Sequence, residues 1–99
     1  MMEKKMTKYI ILNWQDLPSL VEATDDEGTH KIQLSQRFQA LIDHVAMESG
    51  LMGSDAYLDA WNKSDAQERE GTAEEVAKAV AEEIESQFDD IMAAHTSKD

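Results

Sequence analysis

His44 and Glu48 come nearest to a chemical constellation in this chain. Four residues apart on a helix, an imidazole and a carboxylate share one face and can offer two ligands to a divalent metal. His30 and His95 fall on other segments, so no third ligand follows, and the pair reads as a solvated polar flank. The acids near Gly28 and Gly71 invite comparison with a calcium loop, which needs oxygen ligands at its first and last positions around a central glycine. Alignment on Gly28 puts Ala23 first and Leu34 last, and alignment on Gly71 puts Ala66 first. Neither loop can coordinate. Ser54, in "GSD", lacks the flanking glycine of a nucleophile elbow and is better placed as a turn or cap residue. A general acid needs a carboxyl raised by burial or by a neighbour, whereas most carboxylates here fall on polar helix sides or in loops. Four scattered glycines make no phosphate loop, and the absence of cysteine removes disulfides, thiolates and Cys-based metal sites. No catalytic, cofactor-binding or metal residue is expected, and the chain reads as non-enzymatic.

Composition narrows the partners. With 99 residues, 41% apolar and 30% charged, the chain has the size and make-up of a single domain, 1–99, with an ordered core over about 7–94. The formal charge of −12, from 21 acidic and 9 basic residues, argues against nucleic acid and anionic membrane as partners. The acids concentrate over residues 70–90, where Lys78 is the sole base, while Lys4, Lys5 and Lys8 gather at the start. A solvated helix face accounts for this, and an acidic mimic of nucleic acid is a further alternative. The apolar run 9–12 is too short for a signal-peptide core, so a cytoplasmic protein is expected.

The elements that would position any site are read from periodicity. "KYIILNW", residues 8–14, is a strand bulky on both faces: Ile10, Leu12 and Trp14 alternate with Tyr9, Ile11 and Asn13. Pro18 interrupts the pattern, and segments 19–24 and 29–33 flank "DDEG" as a hairpin turning at Gly28. A helix over 36–49 follows the cap Ser35, with Phe38, Leu41, Ile42 and Val45 inward and Gly50 at its end; Ala40 and Met47 stand on its polar side. "GSDAYLDAWNK" reads either as a helix capped by Ser54 or as a strand, and the strand over 56–63 is preferred because two helices need a sheet to cover. "NKSDAQEREG" is then a loop. The last helix opens with the capping box Thr72–Glu75 and runs to about residue 94, burying Ala73, Val76, Ala77, Val80, Ile84, Phe88 and Ile91. Residues 1–6 and 96–99 are expected to be loose.

Together these give an α+β fold of two layers, a small mostly antiparallel sheet with two helices on one face, in the order β-β-β-α-β-α. If the helices cover Ile10, Leu12, Leu58 and Ala60, the other side presents Tyr9, Ile11, Asn13, Tyr57, Asp59 and Trp61 as a protein-docking patch. The expected function is an acidic protein-interaction module whose partner is another protein or a second copy docked through the sheet. An accessory domain holding a small ligand near Trp14 and Trp61 is the alternative.

"WQDLPS", "LSQRFQALIDHVAMESGLMGSDAYLDAW" and "GTAEEVAKAVAEEIE" resemble a small bacterial domain family labelled "virulence factor". The family also occurs at the end of longer proteins called conserved virulence factor C, and the similarity spans about residues 8–85. The resemblance implies a tie to bacterial virulence or its regulation and carries no catalytic residue.

Overall fold

The sheet is built around one long strand. In a computed structural model, which describes residues 6–96, β1 (Met6–Trp14) pairs antiparallel with β2 (Leu17–Asp25), and β2 with β3 (Gly28–Gln33). The far edge of β1 is shared by two short strands, β4 (Trp61–Lys63) on Leu12 to Trp14 and β5 (Gln67–Glu70) on Met6 to Tyr9. The helices are α1 (Gln36–Glu48), α2 (Asp55–Asp59), α3 (Ala73–Ser86) and α4 (Phe88–Thr96). The α+β class holds, with an antiparallel sheet and α1 and α3 packed on the face that carries Val21 and Ala23. Met6 and Thr96 lie inside regular elements, and the rest of the ends expected to be loose, residues 1–5 and 97–99, falls outside the described residues.

Register decides which face of β1 is covered. Tyr9 stands opposite Ala23 and Ile11 opposite Val21, which pairs in turn with Ile32, so these residues form the inner face. Lys8, Ile10 and Leu12 share the outer face with Thr24, Glu22 and Leu20. The expected orientation of β1 is therefore inverted over Tyr9 to Leu12, whereas Trp14, past the register shift at Leu12/Asn13, is buried as its expected side requires. Both of its faces are apolar, and the small, fully buried Val21 and Ala23 on β2 are what admit the helices. Pro18 belongs to β2 after all. It stands opposite Asn13 of β1, next to the register shift that leaves Ser19 without a β1 partner, while the Ser19 carbonyl accepts from the Leu34 N–H at 3.0 Å.

Three elements differ from the expectation. Residues 55–59 form a helix, because the Ser54 hydroxyl accepts from the Tyr57 N–H and caps a single turn. The strand expected over 56–63 shrinks to β4, and β5 forms inside the expected loop, held to β1 by backbone bonds rather than by any apolar pattern of its own. The long last helix is divided at Gln87: the Ser86 hydroxyl turns back to the Glu83 carbonyl, and the chain restarts so that Phe88 meets Phe38 edge-on at 4.9 Å. The capping box of Thr72 and Glu75 is present, and the buried residues of α1 and α3 are nearly those the helical spacing selects. At Gly71 the backbone takes φ 132°, and a Cβ there would meet Glu75 and Val76 at 3.3 Å. The carbonyl of Gly71 accepts from the buried Thr7 hydroxyl, which ties the start of α3 to β1.

Candidate interaction surfaces

The six residues expected to make one outward patch are scattered by the fold. Tyr9 is in the core, 9% exposed, with its hydroxyl donating to Gln67 Oε1 at 3.0 Å and the Arg69 guanidinium 5.7 Å from its ring. Ile11 is half-buried against the core, and Asn13 is half-buried with its amide donating to the Ile11 carbonyl. Tyr57 and Asp59 ride on α2, and Trp61 opens β4. The structure does unite the aromatics, in a different way. Tyr57 lies between two indoles, 5.5 Å from Trp14 and 6.4 Å from Trp61, and its carbonyl accepts from the Trp14 N–H at 2.9 Å. Trp14, near which with Trp61 a small-ligand pocket is expected, is fully buried, and the tyrosine occupies the space between the two rings.

Two extended surfaces with apolar side chains stand out among the described residues. The first is the outer sheet face, where Met6, Ile10, Leu12 and Leu20 run down the two central strands among charged residues. The second is a groove of about 430 Å³ between α1 and α4, lined by Arg37, Ala40, Leu41, His44, Phe88 and Met92. Leu41 and Phe88 form its floor, 6% and 9% exposed, and Met92 stands on its rim. Ala40, His44 and Met47 continue one stripe along α1, and Met47 is 67% exposed. Met47 and Ala40 are legible as exposed apolar positions, but the groove is lined from α4, and the break at Gln87 that separates α4 from α3 is hidden by the uninterrupted apolar pattern of residues 73–91.

Electrostatics fix one end of that groove. Glu85 accepts from the Ser35 N–H at 2.6 Å and the Ser35 hydroxyl at 2.8 Å, and Arg37 reaches its carboxylate at 3.1 Å. The Arg37 guanidinium then lies 4.4 Å from the Phe88 ring centroid. Ser35 makes no cap bond within its own helix, and no acid lies in the first turn of α1; Glu85 supplies both from α3. Burial works to raise the Glu85 carboxyl, but the bonds from Ser35 and Arg37 outweigh it and hold the pKa below the ordinary glutamate value of 4.5. A depressed folded-state pKa means that this stabilisation is complete above the ordinary value and is lost as pH falls through the folded one. Glu85→Gln should therefore lower stability at neutral pH by at most about 1 kcal/mol, given solvent screening of a side chain 29% exposed. The gap from wild type should close as pH falls through the lowered Glu85 pKa in thermal melts run across pH; a gap unchanged in acid would contradict the ionic role.

A polar hollow of about 320 Å³ lies where the β2–β3 turn meets α3, lined by Asp25, Glu27, His30, Thr72 and Glu74 among others. Lys78, 3.1 Å from Glu74, holds that carboxyl below the ordinary range by its hydrogen bond and charge, with His30 adding to the effect. His44 and Glu48 do share a helix face, 3.7 Å apart. Among the described residues no group of three or more His, Asp or Glu side chains is arranged to hold a metal ion, and no helix is long and apolar enough to cross a membrane.

No curated protein and no solved structure matches the chain. The family described as "Virulence factor" matches residues 12–92, from the last three residues of β1 to the second turn of α4, and so takes in the Trp14–Tyr57–Trp61 cluster, both residues of the Glu85–Arg37 tie and every residue lining the groove. By that match over most of its length, the chain belongs to the virulence factor family.

Proposed function

We propose that the chain is a non-enzymatic, acidic protein-interaction module, acting in bacterial virulence or its regulation, that docks an apolar segment of a protein partner in the groove between α1 and α4. One observation carries this reading: a large apolar side chain, Met92 at 38%, stays exposed on the rim of a buried apolar floor of Leu41 and Phe88, and the α1 stripe beside it ends in Met47 at 67%. Methionines adapt to irregular partners, and a concave apolar floor supplies the desolvated centre that docking energy needs. With a chain charge of −12, the segment that suits this groove carries lysine or arginine beside its apolar anchors. The link to virulence rests on family membership.

The test is affinity capture from the native cytoplasm with wild type, Met92→Glu and, as a control on an exposed residue away from the groove, Met52→Glu. Met92→Glu should lose the bound protein, Met52→Glu should keep it, and both should melt within a few degrees of wild type. Equal capture by wild type and Met92→Glu would remove the groove from consideration.

A further inference from the structure

The outer sheet face differs in charge from the rest of the molecule. Its ionic side chains are Lys8, Lys31 and Lys63 against Glu22, Glu68 and Glu70, as the strand register places them. Among the described residues three cations and three carboxylates balance on this face, on a chain of charge −12. Among the described residues none of the six forms an ion pair within the chain. Between them runs the apolar stripe of Met6, Ile10, Leu12 and Leu20, with Met6 49% exposed and the other three half-exposed.

We propose that this face is a self-association surface on which a second copy of the chain packs face to face about a two-fold axis. A strongly acidic molecule repels its own copies everywhere except where charge is balanced, and this is the face where it is. An axis lying in the face and running across the strands superposes the β1–β5 end of one copy on the β1–β4 end of the other. That rotation brings Glu70 over Lys63 of the second copy, Lys8 beside its Glu22 and Met6 over its Leu12. Such a contact is isologous, so each ion pair forms twice, and the apolar stripes meet as in aligned sheet packing. The area is modest. Nine residues of β1 and four strand widths give on the order of 600 Å² per copy, at the lower end of specific interfaces. The dimer is accordingly weak, with a dissociation constant in the micromolar range. This surface is separate from the α1–α4 groove, and either can fail without the other.

Sedimentation equilibrium of the full chain from low micromolar to about 0.5 mM protein tests it, with the groove variant Met92→Glu as a control that should dimerise normally. Ile10→Glu should weaken self-association at least 10-fold, the order expected for an unpaired charge at a desolvated centre. Lys63→Glu and Glu70→Lys should each weaken it about 5-fold, and the double exchange should return it to within about 2-fold of wild type. In one chain these two residues sit at opposite ends of the sheet, about 20 Å apart along β1, beyond the screening length, so recovery reports pairing between copies. The charge variants decide the matter if Ile10→Glu does not fold. A chain monomeric throughout the range, a dimer indifferent to Ile10→Glu, or a double exchange no tighter than the singles would overturn the proposal.

Discussion

Trp14→Ala should lower the free energy of unfolding by about 3–5 kcal/mol, the range for deleting a large aromatic from a packed interior. Trp14 is fully buried, and its indole N–H is bonded to the Tyr57 carbonyl at 2.9 Å. Alanine leaves a cavity beneath α2, removes the ring on which Tyr57 rests and takes the indole donor from the Tyr57 carbonyl, which keeps the longer bond from the Ala60 N–H at 3.3 Å. A domain of this size has only about 5–15 kcal/mol in total, so the variant should melt far below wild type or fail to fold at ambient temperature. Trp61→Ala makes the comparison sharp. Trp61 is half-buried and touches Tyr57 edge-on at 6.4 Å, so its loss should cost about 1–2 kcal/mol. Urea unfolding of the two variants side by side measures the difference. A Trp14→Ala protein within 1 kcal/mol of wild type would show that the 49–60 segment, with α2, is not anchored through this indole.

The contrast between the tryptophans shows where sequence reading stops. "GTAEEVAKAV" announces its helix, cap and buried side, because all of that information lies within a few residues of itself. Phe38, Leu41 and Ile42 on α1 are equally local, and so is the turn at Gly28. The faces of β1 are not. Alternation separates Ile10 and Leu12 from Tyr9 and Ile11, yet both pairs are bulky, and the choice rests on Val21, Ala23 and Ile32 across the ladder. That ambiguity turned the expected docking patch inside out, carrying Tyr9 into the core and Ile10 to the surface. The strand preferred over 56–63 rested on a need for more sheet, which β4 and β5 meet from residues whose own pattern is silent: "QERE" pairs because the backbone of β1 offers it an edge. In the aromatic stretch the local signal, the Ser54 cap, is the one the chain obeys, and the strand reading follows only from the fold as a whole. The groove is lined from α4, which a break at Gln87 separates from α3 where apolar spacing continues unbroken, since Phe88 and Ile91 suit one continuous helix as well as two.

Asp25 is the position where a local reading and the structure agree on the residue and differ on its work. In sequence it belongs to an acidic turn. In the structure one carboxylate oxygen accepts from the Glu27 and Gly28 N–H groups at 2.8 and 3.1 Å, closing the β2–β3 turn, while the other accepts from the Ala73 N–H at 2.9 Å. Ala73 is the first residue of α3, so the carboxylate meets a helix N-terminus at its positive end, 48 residues further along the chain. Thr72 and Glu75 already satisfy each other's amides, which leaves the Ala73 donor to Asp25. Asp25→Ala should therefore cost roughly 2–3 kcal/mol, combining a charged hydrogen bond, the turn bonds and the dipole interaction less solvent screening at a half-exposed site. Asp25→Asn should cost about half as much, because an amide has one acceptor oxygen and can serve the turn or the helix but not both. Hydrogen exchange separates this from a general loosening. The Ala73 amide should lose protection in Asp25→Ala while the Glu75 amide, held by Thr72, keeps its own. Wild-type stability in Asp25→Ala, or equal loss of protection at both amides, would mean that the hairpin and the helix are joined by packing alone.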